Sequence, residues 1–369
     1  MSDGYSTWLE IDLEAIRNNV RQLRRITQTP VMAVVKANGY GHGAIETARA
    51  AIEAGAEWCG VARFEEAIAL RQAGLHCRLL VMGYTPPACL QEAIAEKISL
   101  TIYDPEIGKS YVTLLTGQGD PLNVHVKVDT GMGRLGIKPI EAVDLVEWLS
   151  KQPGVLVEGF CTHFAKADET LRISTLTQLS KFTPLVEKLE TRGLRPAFIH
   201  AANSAAALQY PECRFDLIRP GIAVYGLHPS KETLLPDGFI PALTWKARLT
   251  SKKYLSEGHQ VSYGGIYTTS REEQIGVVPV GYADGFRRVA GEQVLLHGHR
   301  VEVVGRVCMD QCMIQLNDLS DVEIGDEVIL LGRQAGESIS AEEIAERWGT
   351  INYEVVCGLS NRLPRVYLG

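Results

Sequence analysis

The sequence predicts an α/β fold, in which an N-terminal (β/α)8 barrel of the TIM type precedes a C-terminal all-β domain. Its 369 residues are enough for two domains with full hydrophobic cores. From residue 31 to about residue 230, short β-rich runs alternate with helical patterns, as in a barrel. After about residue 235, alternating apolar and polar residues prevail. A doubly wound open sheet competes with the barrel, but no glycine-rich phosphate-binding motif follows the first strand.

The predicted barrel strands are apolar runs bounded by turn residues. They cover residues 31–36, 57–62, 78–83, 98–103, 122–129, 155–164, 195–201 and 216–226. Helical patterns precede or separate them, most clearly at residues 13–26, 43–54, 65–72, 140–150, 171–192 and 204–208.

A cluster of helix-breaking residues, Pro236, Gly238 and Pro241, predicts the boundary between a barrel domain at 12–235 and a β domain at 236–369. The β domain contains alternating runs at residues 247–255, 274–280, 301–307 and 328–331, and only residues 341–348 have a helical pattern. The apolar run at residues 8–11, before the first helix, would be a ninth strand beside the eight already assigned to the barrel. We therefore expect an N-terminal strand at residues 5–11 to join the C-terminal sheet.

Composition indicates a small-molecule enzyme of the cytoplasm. The net charge of −7 and the pI near 5.8 argue against nucleic acid or an anionic membrane as the main partner. No apolar stretch approaches the roughly 20 residues of a membrane span, and the first ten residues lack a leader pattern. The eight cysteines show no metal-binding spacing, so we expect no metal and mostly buried free thiols. A disulfide or metal pair at Cys308 and Cys312 is the less favoured alternative.

Lys36 is the most informative residue, because it ends a fully apolar strand and precedes a glycine-rich segment. Parallel α/β proteins carry their chemistry at the carboxyl ends of strands. A partly desolvated lysine at such a position loses charge and becomes a nucleophile toward aldehydes. The expected product is a Schiff base.

Other polar residues follow the later strands of the predicted barrel. They are Arg134 after the fifth strand, His163 at the end of the sixth, Asn203 and Ser204 after the seventh, and Arg219 within the eighth. Each has a structural explanation when considered singly, such as a surface ion pair or a histidine bonded to a carbonyl. Because all of these strand ends meet at one mouth of a barrel, a shared site is the better interpretation.

A phosphate site is predicted where barrels commonly have one, in the loops after the last two strands. Ser204 begins a predicted helix, and Gly221 and Ile222 offer backbone N–H groups with little obstruction. A simple helix cap is the alternative role for Ser204. A Schiff-base lysine together with a phosphate site suggests pyridoxal 5′-phosphate (PLP), which carries both the aldehyde and the phosphate.

A series of motifs in this chain resembles that of the bacterial alanine racemases, in the same order and over essentially the whole length. The motifs are AVVKANGYGHG, HVKVDTGMGRLG, THFAKAD, HAANSAA, IRPGIAVYG, VSYGGIYT, VPVGYADG, GRVCMDQCMI and TINYEV followed by LSNRLPR. The resemblance implies a PLP-dependent enzyme that interconverts L-alanine and D-alanine and supplies D-alanine for peptidoglycan.

The resemblance implies two catalytic bases, Lys36 and Tyr263. Lys36 would hold PLP and act as one base, and Tyr263 of a partner subunit would act as the other. Inversion at the α-carbon requires a proton to leave one face and another to arrive on the opposite face, so a single fixed lysine is insufficient. A homodimer with shared sites follows. Without the motif, Tyr263 would be interpreted as a packing residue of a strand.

The resemblance also implies roles for residues around the cofactor. Arg219 would face the pyridine nitrogen, and Arg134 would lie near the phenolic oxygen and the substrate carboxylate. Lys127 matches a lysine that is often a carbamate orienting the arginine, with a plain structural lysine as the alternative. The remaining matches are His163 stacking on the ring, phosphate contacts from Tyr40, Ser204, Gly221, Ile222 and Tyr353, a substrate loop with Met309 and Asp310, and an entrance narrowed by Tyr282 and Tyr353.

Several alternatives to alanine racemisation stay open from sequence. A serine or broad-specificity amino-acid racemase of the same family is one, although Tyr353 differs from the residue of serine-preferring relatives. A non-catalytic PLP-binding barrel would lack the β domain, and a PLP decarboxylase would carry an acidic group in place of Arg219. A cofactor-free Schiff-base aldolase is the remaining alternative.

Overall fold

The computed structural model describes residues 4–369; residues 1–3, part of the segment without a leader pattern, lie outside the described residues. The chain divides into two compact units. One comprises Ala15–Gly39 and Ala44–Ile240, and the other comprises the N-terminal segment ending at Glu14, together with Tyr40–Gly43 and Pro241–Gly369. We call them the barrel unit and the β unit.

The chain begins with strand β1 (Thr7–Asp12) and the helix Leu13–Thr27. Within the described residues, seven parallel strands then form the sheet of the barrel unit in sequence order. They are β2 (Met32–Val34), β3 (Trp58–Val61), β4 (Arg78–Val81), β5 (Ile98–Ile102), β6 (Leu122–Lys127), β7 (Val155–Cys161) and β8 (Phe198–His200). Strands β2, β3 and β5 are buried along their whole length, as expected of parallel strands covered on both faces.

The α-helices of the barrel unit lie close to the predicted segments. After Leu13–Thr27 they are Ala44–Glu53, Phe64–Gln72, Leu90–Ala95, Pro105–Val112, Pro139–Ser150, Ile173–Thr191 and Ser204–Gln209, with short 3₁₀ turns at Pro87–Cys89, Pro211–Cys213 and Ile222–Tyr225. Local capping explains several starts. Asp104 accepts a hydrogen bond from the Glu106 N–H, and Pro105 occupies the first turn, where no donor is needed.

The barrel fold is confirmed, but the predicted eighth strand at residues 216–226 is wrong. Ile218 forms only an isolated parallel bridge with Val31. The Met32 N–H donates to the Ile218 carbonyl at 2.8 Å, and the Val34 N–H donates to the Pro220 carbonyl at 3.0 Å. Pro220 has no N–H to return to the ladder, and the chain then enters the turn Ile222–Tyr225, so strand pairing stops.

The β unit contains a ten-stranded sheet within the described residues, in the order β10-β13-β16-β15-β14-β17-β9-β1-β19, with β18 paired to β17. The later strands of this sheet are β9 (Leu243–Arg248), β10 (Ser251–Leu255), β13 (Glu273–Val278), β14 (Gln293–Leu296), β15 (His299–Val304), β16 (Cys312–Gln315), β17 (Glu327–Gln334), β18 (Glu337–Ile339) and β19 (Arg365–Leu368). Strands β11 (Gln260–Val261) and β12 (Tyr267–Thr268) form a separate two-stranded sheet. Strand β1 lies between β9 and β19, where Leu9 pairs with Trp245 and Arg365.

Two expectations for the β unit are corrected. The predicted strand at residues 247–255 is divided between β9 and β10. The expectation that only residues 341–348 are helical is wrong, because Asn352–Cys357 follows Ala341–Trp348 as a second helix. Its six residues are too few to show a clear helical period in the sequence. Short 3₁₀ turns lie at Tyr263–Gly265 and Tyr282–Asp284.

The cysteines are all free thiols, which excludes the Cys308–Cys312 disulfide, but only Cys59, Cys161, Cys213 and Cys312 are buried. Across residues 4–369, no three His, Cys, Asp or Glu side chains are grouped to hold a metal ion. None of the helices described there combines the length and apolar character that a membrane crossing requires.

Candidate active site

Lys36 stands at the start of an unusual turn that ends strand β2. The next residues, Ala37, Asn38, Gly39 and Tyr40, have φ angles of 53°, 51°, 61° and 52°, all in the left-handed region. Each left-handed residue other than glycine costs roughly 1–2 kcal/mol, with asparagine the most tolerant. Four in succession therefore require external support.

Glu66, in the first turn of the helix Phe64–Gln72, supplies that support. Its Oε1 accepts a hydrogen bond from the Ala37 N–H at 2.7 Å, and its Oε2 accepts from the N–H groups of Ala62 and Arg63 at 2.8 and 3.1 Å. Within the turn, Asn38 Oδ1 accepts from the Ala44 N–H at 3.1 Å. One carboxylate thus fixes the backbone directly after Lys36 to the end of strand β3.

Arg219 is buried in the barrel unit, among polar groups at the ends of strands β7 and β8. Its Nη2 donates to the carbonyls of Thr162 and Ala201 at 2.8 and 3.1 Å and lies 3.2 Å from His163 Nδ1. Its Nη1 lies 2.7 Å from His200 Nδ1. In residues 4–369, no carboxylate forms an ion pair with this guanidinium, so its charge is stabilised by dipoles.

Burial and the neighbouring cations together determine the protonation of His163. Burial is the largest cause that holds its pKa well below the usual range, and the charges of Arg219 and Arg134 add to it. The ring is therefore neutral at pH 7. Because Nδ1 faces a group of Arg219 that can only donate, the proton of the neutral ring lies on Nε2. Gln178 fixes the adjoining backbone by donating to the His163 carbonyl at 3.0 Å.

Lys127 is the last residue of strand β6, and Arg134 lies in the loop that follows. Asp129 Oδ1 accepts hydrogen bonds from the N–H groups of Gly131, Met132 and Gly133 at 2.9, 2.9 and 3.1 Å, which shapes the loop that carries Arg134. The Lys127 ammonium donates to the Leu135 carbonyl. Burial lowers the pKa of Lys127, and the charges of Arg219 and Arg134 contribute in the same direction.

The structure brings Ser204 and Gly221 together. Asn203, not Ser204, caps the helix Ser204–Gln209, since its Oδ1 accepts from the Ala206 N–H at 3.0 Å. Ser204 Oγ instead accepts from the N–H groups of Gly221 and Ala223 at 2.9 and 3.3 Å. The starts of two helical turns, one of which begins at Ile222, therefore meet at one buried hydroxyl. Such starts favour anions.

In the β unit, Tyr263 lies at the tip of the β11–β12 hairpin and is 68% exposed. The preceding residue, Ser262, has φ 65° and ψ −175°, a conformation that is strained for any residue except glycine. Ser262 Oγ donates to the Arg306 carbonyl at 2.6 Å, which fixes the strained turn to the loop before Met309.

The base of this hairpin is anchored by the buried carboxylate of Glu273. Tyr267 Oη donates to its Oε2 at 2.5 Å, and Gln315 Nε2 donates to the same oxygen at 2.8 Å. Burial would raise the pKa of Glu273, but these bonds and the Ser270 N–H together hold it at about 2. The carboxylate is therefore charged at neutral pH and holds the hairpin in place.

Tyr282 and the loop with Met309 and Asp310 are adjacent in the β unit. The N–H groups of Tyr282 and Ala283 donate to the Cys308 and Met309 carbonyls, each at 3.0 Å. Gly281 permits this approach, because a Cβ there would lie 2.3 Å from the Met309 oxygen. The Asp310 carboxylate accepts from Arg362 at 2.8 Å.

Tyr40 and Tyr353 also lie together in the β unit, with ring centroids 6.2 Å apart. Burial, with the nearby Cys357 thiol, raises the pKa of Tyr40, so its phenol stays protonated and can donate a hydrogen bond. The structure thus forms two groups of candidate residues. The barrel unit holds Lys36, Lys127, Arg134, His163, Ser204, Arg219, Gly221 and Ile222, and the β unit holds Tyr40, Tyr263, Tyr282, Met309, Asp310 and Tyr353.

Three supporting residues escaped the sequence interpretation: Glu66, Gln178 and His200. His200 ends strand β8 and could have been found by the rule that flagged His163. Glu66 and Gln178 lie within helices, at positions where a polar residue usually faces solvent, so the sequence carries no signal of their contacts.

A barrel unit with a lysine, a buried arginine and a buried serine hydroxyl at its strand ends, followed by a β domain, defines a class of two-domain barrel enzymes. Residues 11–229 match the family model of the alanine racemase N-terminal domain, and residues 242–367 match that of the C-terminal domain.

Individual relatives and solved structures show the same similarity as the two family models. The alanine racemase of Symbiobacterium thermophilum is 48% identical over 366 residues, covering 98% of this chain and 97% of its own. The crystal structure of the alanine racemase from E. faecalis has a TM-score of 0.94, 41% identity and 98% coverage of both chains. A histidine racemase from Leuconostoc mesenteroides has a TM-score of 0.92, 31% identity and 99% coverage of both. The chain belongs to the alanine racemase family.

The support of the Lys36 turn is testable by hydrogen exchange. Replacing Glu66 with alanine removes the acceptor of the Ala37 N–H, so exchange of the amides at residues 37–39 should accelerate by about tenfold or more, the effect of losing one charge-assisted hydrogen bond. The neighbouring exposed Glu65→Ala is the matched control and should leave these amides unchanged. Equal exchange in both variants would show that Glu66 does not hold the turn.

The anchor of the Tyr263 hairpin should depend on pH. The pKa of Glu273 is about 2 in the fold, against an ordinary value of 4.5, so its stabilising effect is complete above pH 4.5 and disappears as the pH falls toward 2. Glu273→Gln should therefore unfold at lower urea than the wild type at pH 7, with a gap that narrows between pH 4.5 and 2. The exposed Glu272→Gln is the control, and a gap independent of pH would contradict this role.

Proposed function

We propose that this protein is a PLP-dependent alanine racemase that interconverts L-alanine and D-alanine and supplies D-alanine for peptidoglycan. The observation that carries the proposal is the similarity to alanine racemases over both domains, with 98% of the chain aligned to a relative of that name. The polar residues at the strand ends of the barrel unit supply chemistry of the required kind.

The donor set of the barrel unit fits PLP in three respects. Lys36 offers an amine for the aldehyde. The buried hydroxyl of Ser204, with the starts of two helical turns beside it, offers an anion site for the phosphate. Arg219, a buried cation with dipolar partners, offers an N–H donor for an unprotonated ring nitrogen. Tyr40, Ile222 and Tyr353 would complete the phosphate contacts, and the Gly221 N–H, which donates to Ser204 Oγ in this structure, would bind the phosphate together with that hydroxyl.

When bound, PLP supplies the electron sink that makes the α-proton of the amino acid acidic. Tyr263 removes the α-proton of L-alanine, and Lys36 delivers a proton to the opposite face of the same carbon. For D-alanine the two residues exchange roles. Each acts as a general acid or base at one face, which is the requirement for inversion.

Arg219 would direct the outcome toward racemisation. An arginine side chain keeps its proton throughout the physiological range, so it donates a hydrogen bond to the ring nitrogen without protonating it. Negative charge then remains near the α-carbon, which favours return of a proton to that carbon over side reactions. Neutral His163, held by the guanidinium, would stack against the ring.

The remaining residues would orient and select the substrate. Arg134, Met309 and Asp310 would bind at the carboxylate end of alanine, and Tyr282 would narrow the entrance together with Tyr353. The lowered pKa of Lys127 leaves more of it as the free amine that reacts with carbon dioxide, which supports a carbamate that orients Arg134.

We further propose a homodimer in which each site takes Tyr263 from the partner subunit. The exposed position of Tyr263 on a strained, firmly anchored turn supports this role, because an exposed aromatic side chain held in place is suited to an interface. Two copies related by a twofold axis would then form two equivalent sites.

A chiral amino-acid panel with purified, PLP-loaded protein tests the function. Alanine should lose optical activity and exchange its α-proton in deuterated solvent, whereas serine should react slowly and histidine not at all. Faster turnover of serine or histidine would assign a different racemase, and the absence of any exchange would identify a PLP-binding protein without catalysis.

The role of Tyr263 is tested by Tyr263→Phe, which removes the proton-carrying oxygen and keeps the ring. Racemisation from L-alanine should fall by about 100-fold or more, the usual contribution of a general base, while PLP affinity stays close to that of the wild type. Tyr254→Phe, at an equally exposed position on β10, is the control. Near-normal turnover by Tyr263→Phe would exclude this residue as a base.

Shared sites predict complementation between two inactive variants. Mixing Lys36→Ala with Tyr263→Phe should restore activity, because one of the two sites in each hybrid dimer has both bases intact. Subunit exchange is verified by mass spectrometry of differently tagged chains. Hybrid dimers without recovered activity would contradict a site formed from two subunits.

A further inference from the structure

A chain of buried polar side chains runs from Arg219 into the barrel unit. Arg219 Nη1 lies 2.7 Å from His200 Nδ1, and His200 Nε2 lies 2.8 Å from His125 Nδ1. Both imidazoles are completely buried. Glu158 is the last member of this series of side chains, with its Oε2 3.4 Å from His125 Nε2. That last distance marks an electrostatic contact, and His125 Nε2 makes no hydrogen bond among the described residues.

Only one placement of the protons on His200 and His125 is consistent with these contacts. Arginine only donates, so His200 Nδ1 accepts and the proton of that ring lies on Nε2. His200 Nε2 then donates, so His125 Nδ1 accepts and the proton of His125 also lies on Nε2. That N–H faces the Glu158 carboxylate. Burial, with the charge of Arg219, lowers the pKa of both histidines, so both rings are neutral at pH 7.

The backbone is shaped to admit the His125 ring. A Cβ at Gly159 would lie 2.1 Å from His125 Nδ1, so only glycine leaves space for the imidazole. The pairing of β6 with β7 shifts register at this point, with Val124 opposite Val157 but His125 opposite Gly159. Glu158 is the extra residue of this bulge. Bulges redirect side chains, and this one accounts for the carboxylate beside His125.

Glu158 is fixed as an ionised group by its other partners. Ser99 Oγ donates to its Oε2 at 2.6 Å, and Arg78 lies 3.7 Å from its Oε1. Burial would raise the pKa of Glu158, but contacts with His125, Ser99 and Arg78 together lower it. Trp58 closes the other side of the His125 ring, in edge contact at 5.3 Å between centroids.

We propose that His125 and Glu158 are positioning residues for Arg219, which set the tautomer of His200 and so hold the guanidinium at the orientation required in the site. The inference rests on the proposed function and extends it to residues on strands β6 and β7. If His200 carried its proton on Nδ1, two N–H donors would face each other at 2.7 Å and Arg219 would move. The Glu158 carboxylate prevents this by favouring the N–H on the far nitrogen of His125.

Paired substitutions separate positioning from packing. Glu158→Leu removes the carboxylate that faces the His125 Nε2–H group, whereas Glu158→Gln keeps a carbonyl oxygen with partial negative charge at that position. His125→Phe keeps a ring but removes the acceptor for His200. Thr101→Val, which removes a buried hydroxyl bonded to the Val81 carbonyl on the neighbouring strand, is the control for the loss of a polar group in the same sheet.

The first measurement is nitrogen NMR of histidine-labelled protein. In the wild type, His125 and His200 should each show a protonated Nε2 and an unprotonated Nδ1, with signals assigned by comparison with variants. Glu158→Leu should give mixed tautomers, and Glu158→Gln should resemble the wild type. A wild-type spectrum with Nδ1 protonated in either ring would overturn the proposal.

The second measurement is catalytic and spectroscopic. Glu158→Leu and His125→Phe should lower kcat for alanine by about tenfold, the effect of weakening one hydrogen bond to a charged group, and should shift the visible absorption of bound PLP. Glu158→Gln and Thr101→Val should stay within about twofold of the wild type. Equal losses in all four variants, or unchanged kcat in Glu158→Leu, would overturn the positioning role.

Gly159→Ala provides a test without any change of polar groups. The added methyl should displace the His125 ring and give the same mixed tautomers and shifted absorption, in protein with wild-type circular dichroism. A wild-type His200 tautomer in the folded Gly159→Ala variant would contradict the inference. Gly159→Ala also tests the positioning role of His125 if His125→Phe does not fold. Failure of the wild type to racemise alanine would refute the proposed function, while the NMR result would still decide the tautomers.

Discussion

The structure of the site depends on the left-handed turn that follows Lys36. A parallel strand would ordinarily pass into its helix through a short loop, but here four residues adopt left-handed angles in succession. This turn stops strand β2, leaves Lys36 at the strand end and carries the chain into Tyr40–Gly43, which belongs to the β unit. Gly41 is required there, because a Cβ at this position would lie 2.1 Å from the Val356 carbonyl oxygen. The Gly41 carbonyl accepts a hydrogen bond from Arg365 at 2.8 Å. The conformational free energy that the left-handed backbone costs is offset by one carboxylate, Glu66, which accepts hydrogen bonds from three N–H groups.

The two units contribute different chemistry to the proposed reaction. The barrel unit concentrates cations and neutral histidines in a buried environment, where Arg219 depends on carbonyls and imidazole nitrogens in place of a carboxylate. Such an environment suits an anionic cofactor and disfavours protonation of its ring. The β unit presents Tyr263 on a hairpin that is anchored by Glu273 and strained at Ser262. A rigid, exposed phenol is what a second subunit would need in order to supply a base.

The sequence predicted the fold well where burial determines structure. Strands with both faces buried are continuous apolar runs, and seven of the predicted barrel strands are found in residues 4–369. The prediction of an eighth strand was wrong because Pro220 has no N–H to donate to a strand ladder. The apolar character of residues 216–226 gives no sign of this local effect. The candidate residues at the strand ends could be named from the sequence, but the residues that support them could not. Glu66 acts 29 residues from Ala37, and the Gly159 bulge depends on register, neither of which a single sequence displays. The roles of Tyr263 and Met309 came from the family resemblance.

The proposed reaction depends above all on Lys36 as the amine that would hold the cofactor. The most direct measurement is reduction of the PLP-loaded protein with borohydride, followed by peptide mapping. We expect a yellow protein that is bleached by the reagent and carries one pyridoxyl group on Lys36. Label on a different lysine, or a colourless protein that is unchanged by added PLP, would contradict it.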